Sequence, residues 1–293
     1  MYLYKIITFS LLLIKLTHTM KRILVPTDFS KHAEYALKVA AQIAKKNDGE
    51  IFLIHMLELP MSGNDAFSTA HEIPELMLFK NLAIEKLDDL MDSSYLEDIK
   101  ISKIIQFEMA FDGILKNGKA HEIDLIVMGS HGASGFQEMF IGSNTEKIVR
   151  NSDIPVLVIK KEEEDFTASK FVFASDFSEE AKKPFQKALS FAENFGAHLY
   201  LLNVNTPNNF KSTKVAEKLM RDFLVEVNSS NISTHIYNDV NVEKGILHFA
   251  KKIDADLIGM STHGRKGLSH FFNGSISEDL VNHAKRPVIT FKI

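Results

Sequence analysis

Along this chain, short continuous apolar runs alternate with longer stretches whose apolar residues recur at a helical period. From Lys21 the run KRILVPT closes on Pro26, and Ser30 then caps an amphipathic stretch through Ala44. EIFLIHML (50–57) reads as a buried strand, followed by a helical pattern from about 72 to 95. ISKIIQFEM (101–109) is a third strand, Gly113–Glu122 a short helix and DLIVMG (124–129) a fourth strand. A helix begins near Ser143, and PVLVIK (155–160) is the last strand. Strands alternating with helices predict βαβ units with right-handed crossovers in a parallel sheet. Unbroken Val/Ile/Leu runs fit strands covered on both faces, since a half-exposed strand would alternate with polar residues.

The pattern then repeats. VPTDFS (25–30) returns as FASDFS (173–178), 148 residues on, and DLIVMGSHGASG (124–135) returns as DLIGMSTHGRKG (256–267), 132 residues on. IPVLVIK (154–160) and RPVITFK (286–292) keep the offset of 132, as does the looser match of FIGSNTEKIV to the stretch around Phe272. The 16-residue change in offset places an insertion around 59–74 of the first copy, or a deletion in the second. The expected architecture is α/β: two tandem doubly wound, Rossmann-like domains, each with a five-stranded parallel sheet. The charged run KKEEED (160–165) marks the join, giving domains at 20–161 and 169–293 with a linker at 162–168. In such sheets ligands sit beyond the carboxyl ends of the strands, where Asp28 and Gly129 fall.

Residues 1–19 stand apart. The apolar stretch 6–16 is interrupted by Lys15 and is shorter than the roughly 20 residues a membrane-spanning helix needs. Thr17-His18-Thr19 is a poor cleavage site, and the strand pattern begins directly after Met20. The favoured reading is upstream translation before a start at Met20; a signal peptide or membrane tether is the alternative.

Composition narrows the function classes. The 293 residues, 45% hydrophobic and 25% charged, suffice for two ordinary globular cores at roughly 150 residues each. A net charge of -4 argues against a nucleic-acid partner bound through a broad basic face. With no cysteine there is no disulfide, thiolate metal site or Cys nucleophile. The twelve histidines show no HExxH-type spacing, so no dedicated transition-metal site is expected.

The chemistry-bearing motif is Gly129-x2-Gly132-x9-Gly142-Ser143. Glycines after a strand let the backbone take a positive φ and approach a ligand closely. Gly142-Ser143 opens a helix whose free N–H groups and dipole form an anion site. Together they describe a phosphate cradle. The competing reading is structural, since Ser143-x-x-Glu146 and Ser275-x-x-Glu278 are also capping boxes. The spacing is neither a P-loop nor a dinucleotide GxGxxG. Asp28 and Asp176 could be simple turn residues, but their recurrence in both copies favours the functional reading. His131 and His263, and the phenylalanines 136, 140, 271 and 272, read more readily as structural than as ligand contacts.

The strand–P-T-D-F-S start, the G-x2-G-x9-G-S spacing and the P-V-L-V ending resemble the universal stress protein family, twice over, from Met20 to Ile293. The resemblance implies ATP binding, with Mg2+. Asp28 would meet the adenosine or the metal, the backbone near Met56 the adenine, and Gly129, Gly132, Gly142 and Ser143 the ribose and phosphates. Thr27, Met128, His131 and Asn144 flank these positions and complete the expected set. It also implies pairing of the last strands, Pro155–Lys160 with Pro287–Lys292, as an intramolecular pseudo-dimer, with room for a further homodimer. The second copy departs from the motif at Ser261, whose Cβ would obstruct a backbone of positive φ. Asp176, Val204, Gly264, Gly274 and Ser275 make a weaker second site there, with Arg265 and Lys266 adding positive charge.

The resulting expectation is a cytoplasmic, non-enzymatic stress-response regulator that binds an adenine nucleotide and an unidentified regulatory protein, without a nucleic-acid or membrane partner. The alternatives are a slow ATP hydrolase or nucleotidyl-transfer domain, and a structural or partner-binding module with a relic pocket. Hydrolysis would need a cation at the γ-phosphate, and the first glycine loop contains no Lys or Arg.

Overall fold

Val/Ile/Leu runs bury both faces of every central strand. In the computed structural model, which describes residues 20–58, 69–132, 141–225, 227, 229–262 and 275–293, β4 (Leu125–Gly129) and β5 (Val156–Ile159) are buried along their whole length. In β1 (Arg22–Pro26), Ile23 and Val25 join the core on one face and Leu24 the core on the other.

The first half continues with α1 (Lys31–Asn47), β2 (Glu50–Met56), α2 (Thr69–Met91), β3 (Lys100–Gln106), α3 (Ala110–Ala120) and α4 (Ser143–Asn151). The second half runs β6 (Lys170–Ala174), α5 (Lys182–Phe195), β7 (His198–Asn205), α6 (Thr213–Phe223), β8 (Ile232–Asn238), α7 (Val242–Ile253), β9 (Leu257–Thr262), α8 (Ser275–His283) and β10 (Val288–Lys292). The elements follow the expected order, with bounds shifted by a few residues: α2 and α3 both begin and end early, and a 3-10 turn at Ser94–Leu96 takes the rest of the helix expected through 95. The copies differ most here, 23 residues in α2 against 11 in α6, in the region where the repeat offset shrinks.

Each half is a five-stranded parallel sheet, ordered β3-β2-β1-β4-β5 and β8-β7-β6-β9-β10. The halves merge into one ten-stranded sheet because β5 and β10 pair antiparallel, Leu157 opposite Ile289. Both cores cross that seam: Leu157 and Ile159 share one cluster with Phe173, Ile289 and Phe291, and Val156 and Val158 share the other with Val172 and Val288. Pairing the two end strands leaves neither with an open hydrogen-bonding edge at the seam.

The join between the copies is held rather than loose. Gln42 of α1 donates to the Glu163 carbonyl (3.1 Å) and accepts from the Phe166 N–H (2.6 Å), and Phe166 and Ala168 are buried. Residues 1–19, Gly264, Gly274, His263, Arg265, Lys266 and the phenylalanines 136, 140, 271 and 272 lie outside the described residues.

Candidate functional site

The strand order reverses direction between β1 and β4, and the crevice at their carboxyl ends is where both sequence motifs converge. The Thr27 N–H donates to the Ile54 carbonyl (2.8 Å), prolonging β1 past its end, and His55 Nδ1 donates to the Thr27 carbonyl (2.8 Å). The chain then turns sharply. Phe29 takes a left-handed φ of 65°, which costs an L-residue roughly 1–2 kcal/mol. Side-chain hydrogen bonds offset that cost: Phe29 N–H to Thr27 Oγ1 (3.1 Å) and Ser30 N–H to Asp28 Oδ1 (3.0 Å). Ser30 then caps α1, its hydroxyl accepting from Ala33 N–H (3.3 Å). Thr27-Asp28-Phe29-Ser30 is thus a self-bonded turn, in which Asp28 Oδ1 holds the Ser30 N–H.

The other oxygen meets the glycine motif. A β-carbon on Gly132 would lie 2.6 Å from Asp28 Oδ2, and one on Gly129 would lie 2.6 Å from the carbonyl carbon and oxygen of His32 in the first turn of α1. Gly142 lies beside the Gly132 amide, 3.5 Å from where its own β-carbon would be. None of these three glycines has a positive φ, which among described glycines belongs to Gly196 alone. The expectation of positive φ is therefore corrected: the motif needs glycine for closeness, of β4 to α1 and of the loop to Asp28.

The capping-box reading is corrected as well. The N-cap of α4 is Gly142, whose carbonyl accepts from Glu146 N–H (3.0 Å), and no side chain caps the helix. Ser143 is the first helical residue. The helix start is fixed from behind, by Gly142 N–H to the Ser130 carbonyl (2.8 Å) and Thr145 Oγ1 to the Gly129 carbonyl (2.9 Å). Ser130 Oγ also pairs with His131 Nδ1 at 2.8 Å.

These elements enclose a cavity of about 380 Å³. Thr27, Asp28, Met56, Met128, Gly129, His131, Gly132, Gly142, Ser143 and Asn144 all line it, so every first-copy position singled out from sequence faces one space. Met56 packs into the room left by Gly113, where a β-carbon would lie 1.8 Å from Cε. Sequence reasoning missed Glu58, Ala110 and Thr145 on the same wall. Glu58 Oε1 accepts from Ala110 N–H (2.9 Å), tying the loop after β2 to the start of α3, and no motif announces that contact. Among the described residues the lining contains no lysine or arginine. Among the described residues no cluster of three metal-ligating side chains occurs, and no helix is long and apolar enough to cross a membrane.

The second copy repeats the turn, and among the described residues the matching space is narrower. Phe177 has φ 62°, its N–H bonds Ser175 Oγ (3.0 Å), and Ser178 N–H bonds Asp176 Oδ1 (3.0 Å). Yet the space lined by Asp176, Asn203, Val204 and Val242 is about 10 Å³. Val204 stands where the first copy has Met56, and Val242 where it has Ala110. Ser261 lies within β9 opposite Phe291 without a positive φ, so the expected backbone obstruction is also corrected. Of the remaining second-copy positions, Ser275 is the first residue of α8.

A family model described as the universal stress protein family matches residues 19–160 and again 168–292. A universal stress protein of Methanocaldococcus jannaschii is 33% identical over 154 residues, covering 48% of this chain and 95% of its own. One from Synechocystis is 22% identical over 299 residues, covering 93% of this chain and all of its own. Among solved structures, a universal stress protein from Archaeoglobus fulgidus matches with TM-score 0.69 and 23% identity, over 94% of this chain and 97% of that one.

Proposed function

This chain belongs to the universal stress protein family, and on that footing we propose that its first domain binds an adenine nucleotide, ATP with Mg2+, and that it acts as a non-enzymatic regulator. One observation carries the reading: Gly129, Gly132 and Gly142, Asp28 and the uncapped start of α4 surround a single open cavity of about 380 Å³. That volume falls within the roughly 300–1,000 Å³ of small-molecule sites. The N-terminus of α4 presents amide N–H groups and the positive end of its dipole, with the Ser143 hydroxyl beside them, as an anion requires. The apolar wall of Ile54, Met56 and Ile114 suits a base.

Mg2+ takes one or two carboxylates and completes its shell with phosphate oxygens and water. Asp28, whose Oδ2 faces Gly132, is the group placed to provide one. A wall without lysine or arginine has nothing to neutralise charge developing on a γ-phosphate, which favours retention of the nucleotide over its hydrolysis. A ligand bound more tightly by one conformation than another then shifts the population between them. In the second domain Val204 and Val242 leave only about 10 Å³ among the described residues at the matching place, which favours the first domain as the nucleotide's holder.

The test is to purify the chain, denature it and identify released nucleotide by chromatography and mass spectrometry. About one ATP per chain is expected. No released nucleotide, together with no heat on titration with Mg-ATP, overturns the proposal in favour of a partner-binding module with a relic pocket.

A further inference from the structure

The loop that opens α4 is held from the other domain. Ile141 precedes the N-cap Gly142, so its N–H has no partner within the helix, and Ile141 is buried. That N–H donates to Asn282 Oδ1, at 2.7 Å, from the last turn of α8 in the second domain. Two further contacts fix α8 against the first domain: Arg150 Nη1 lies 3.3 Å from Glu278 Oε1, and Lys160 Nζ lies 3.5 Å from the Asn282 carbonyl. The adjacent Gly142 N–H is satisfied within the first domain by Ser130. The two amides that set where α4 begins are thus split between the two domains.

We infer that Asn282 is a positioning residue for the first domain's site: the second domain locks the anion-facing start of α4 through the Ile141 N–H. Its counterpart in the repeat has no such side-chain acceptor. The residue 132 positions before Asn282 is Arg150, whose guanidinium has donors and no acceptor. It cannot accept an amide proton from the second domain's glycine loop as Asn282 does from the first. This gives the second domain, with its closed pocket, a role in the first domain's site. The inference rests on the proposed nucleotide site only for its binding consequence; the lock itself is a property of the free protein.

The test uses the full chain and two variants, Asn282→Leu, which removes the acceptor at similar size, and Asn282→Asp, which keeps it. Amide hydrogen exchange in the segment 141–149, measured without ligand, is expected to quicken about three- to tenfold in Asn282→Leu, the equivalent of one hydrogen bond, and to return near wild type in Asn282→Asp. Equal exchange in wild type and Asn282→Leu overturns the inference, as does Asn282→Asp exchanging like Asn282→Leu. Should Asn282→Leu not fold, the wild-type chain decides by nuclear magnetic resonance. A through-hydrogen-bond coupling between the Ile141 nitrogen and the Asn282 side-chain carbonyl supports the lock, and its absence overturns it. Mg-ATP titration is expected to show severalfold weaker binding in Asn282→Leu. Equal affinity in the two proteins counts against the inference. No binding by wild type defeats the nucleotide proposal instead, and the exchange result still decides the lock.

Discussion

Gly132 and Asp28 are in such close contact that a β-carbon on the glycine would lie 2.6 Å from the carboxylate oxygen Oδ2. They come from different motifs, 104 positions apart in the sequence, and their approach brings the end of β1 to the glycine loop. Asp28 cannot simply retreat, since its other oxygen holds the Ser30 N–H. Gly132→Ala is therefore expected to displace the carboxylate and weaken Mg-ATP binding about tenfold, or roughly 1.4 kcal/mol. Melting temperature should change little, because the contact lies at a cleft wall. Calorimetric titration checks it, and unchanged affinity would remove Asp28 from the site.

Gly129 has a different constraint. Its missing β-carbon makes room for the His32 backbone, which cannot swing away as a side-chain tip could. Gly129→Ser should push α1 off β4, costing about 1–3 kcal/mol of stability, as overpacking of a close-packed region does. The reciprocal Ser261→Gly should not give a second binding equivalent, because Val204 and Val242 still fill the second domain's space. Denaturant melts and binding stoichiometry read the two halves of this prediction.

The repeat and the order of elements were legible in the sequence, because each rests on a local pattern or on a motif written twice; ten of the residues that line the first domain's cavity follow from those motifs and from the family resemblance they carry. The reason for the glycines was not. Whether a glycine serves φ or proximity depends on what lies opposite, here His32 and Asp28 across a strand–helix contact. The start of α4 misled for a related reason: Ser143-x-x-Glu146 satisfies the capping pattern, yet Gly142 and Thr145 bond back to β4 and its loop and shift the cap by one residue. Glu58 and Asn282 had no signal at all, being fixed by contacts with Ala110 and with the opposite domain.

In the second domain the core trades volume between strands. A β-carbon at Gly259 would lie 2.6 Å from the Phe171 ring, where the first domain has Val127 and Ile23 at the matching positions. Gly259→Val alone should cost about 1–3 kcal/mol. Combined with Phe171→Ile it should cost clearly less than the sum of the two single changes, since the residues share one space. A double-mutant cycle by chemical denaturation measures this, and strict additivity would contradict it.

Burial lowers the Lys160 ammonium from its ordinary 10.5 to about 8. Its equivalent, Lys292, has Asp153 at 3.0 Å, while the residue 132 positions after Asp153 is Lys285, a cation that could not serve Lys160 in the same way. The unfolded chain holds the proton more tightly than the folded one, so the penalty for the buried charge is fully present below pH 8. It shrinks as pH rises from 8 towards 10.5 and is gone above that. Lys160→Met should raise the melting temperature more at pH 7 than at pH 10. An equal gain at both would mean the lysine is solvated.

The most direct test of the whole account is a calorimetric titration of the full chain with Mg-ATP, alongside Gly132→Arg. The account predicts one equivalent bound per chain, abolished in Gly132→Arg without loss of the folded state. Two equivalents would mean that the second domain's closed pocket opens, and binding that persists in Gly132→Arg would place the nucleotide outside the cleft at β1 and β4.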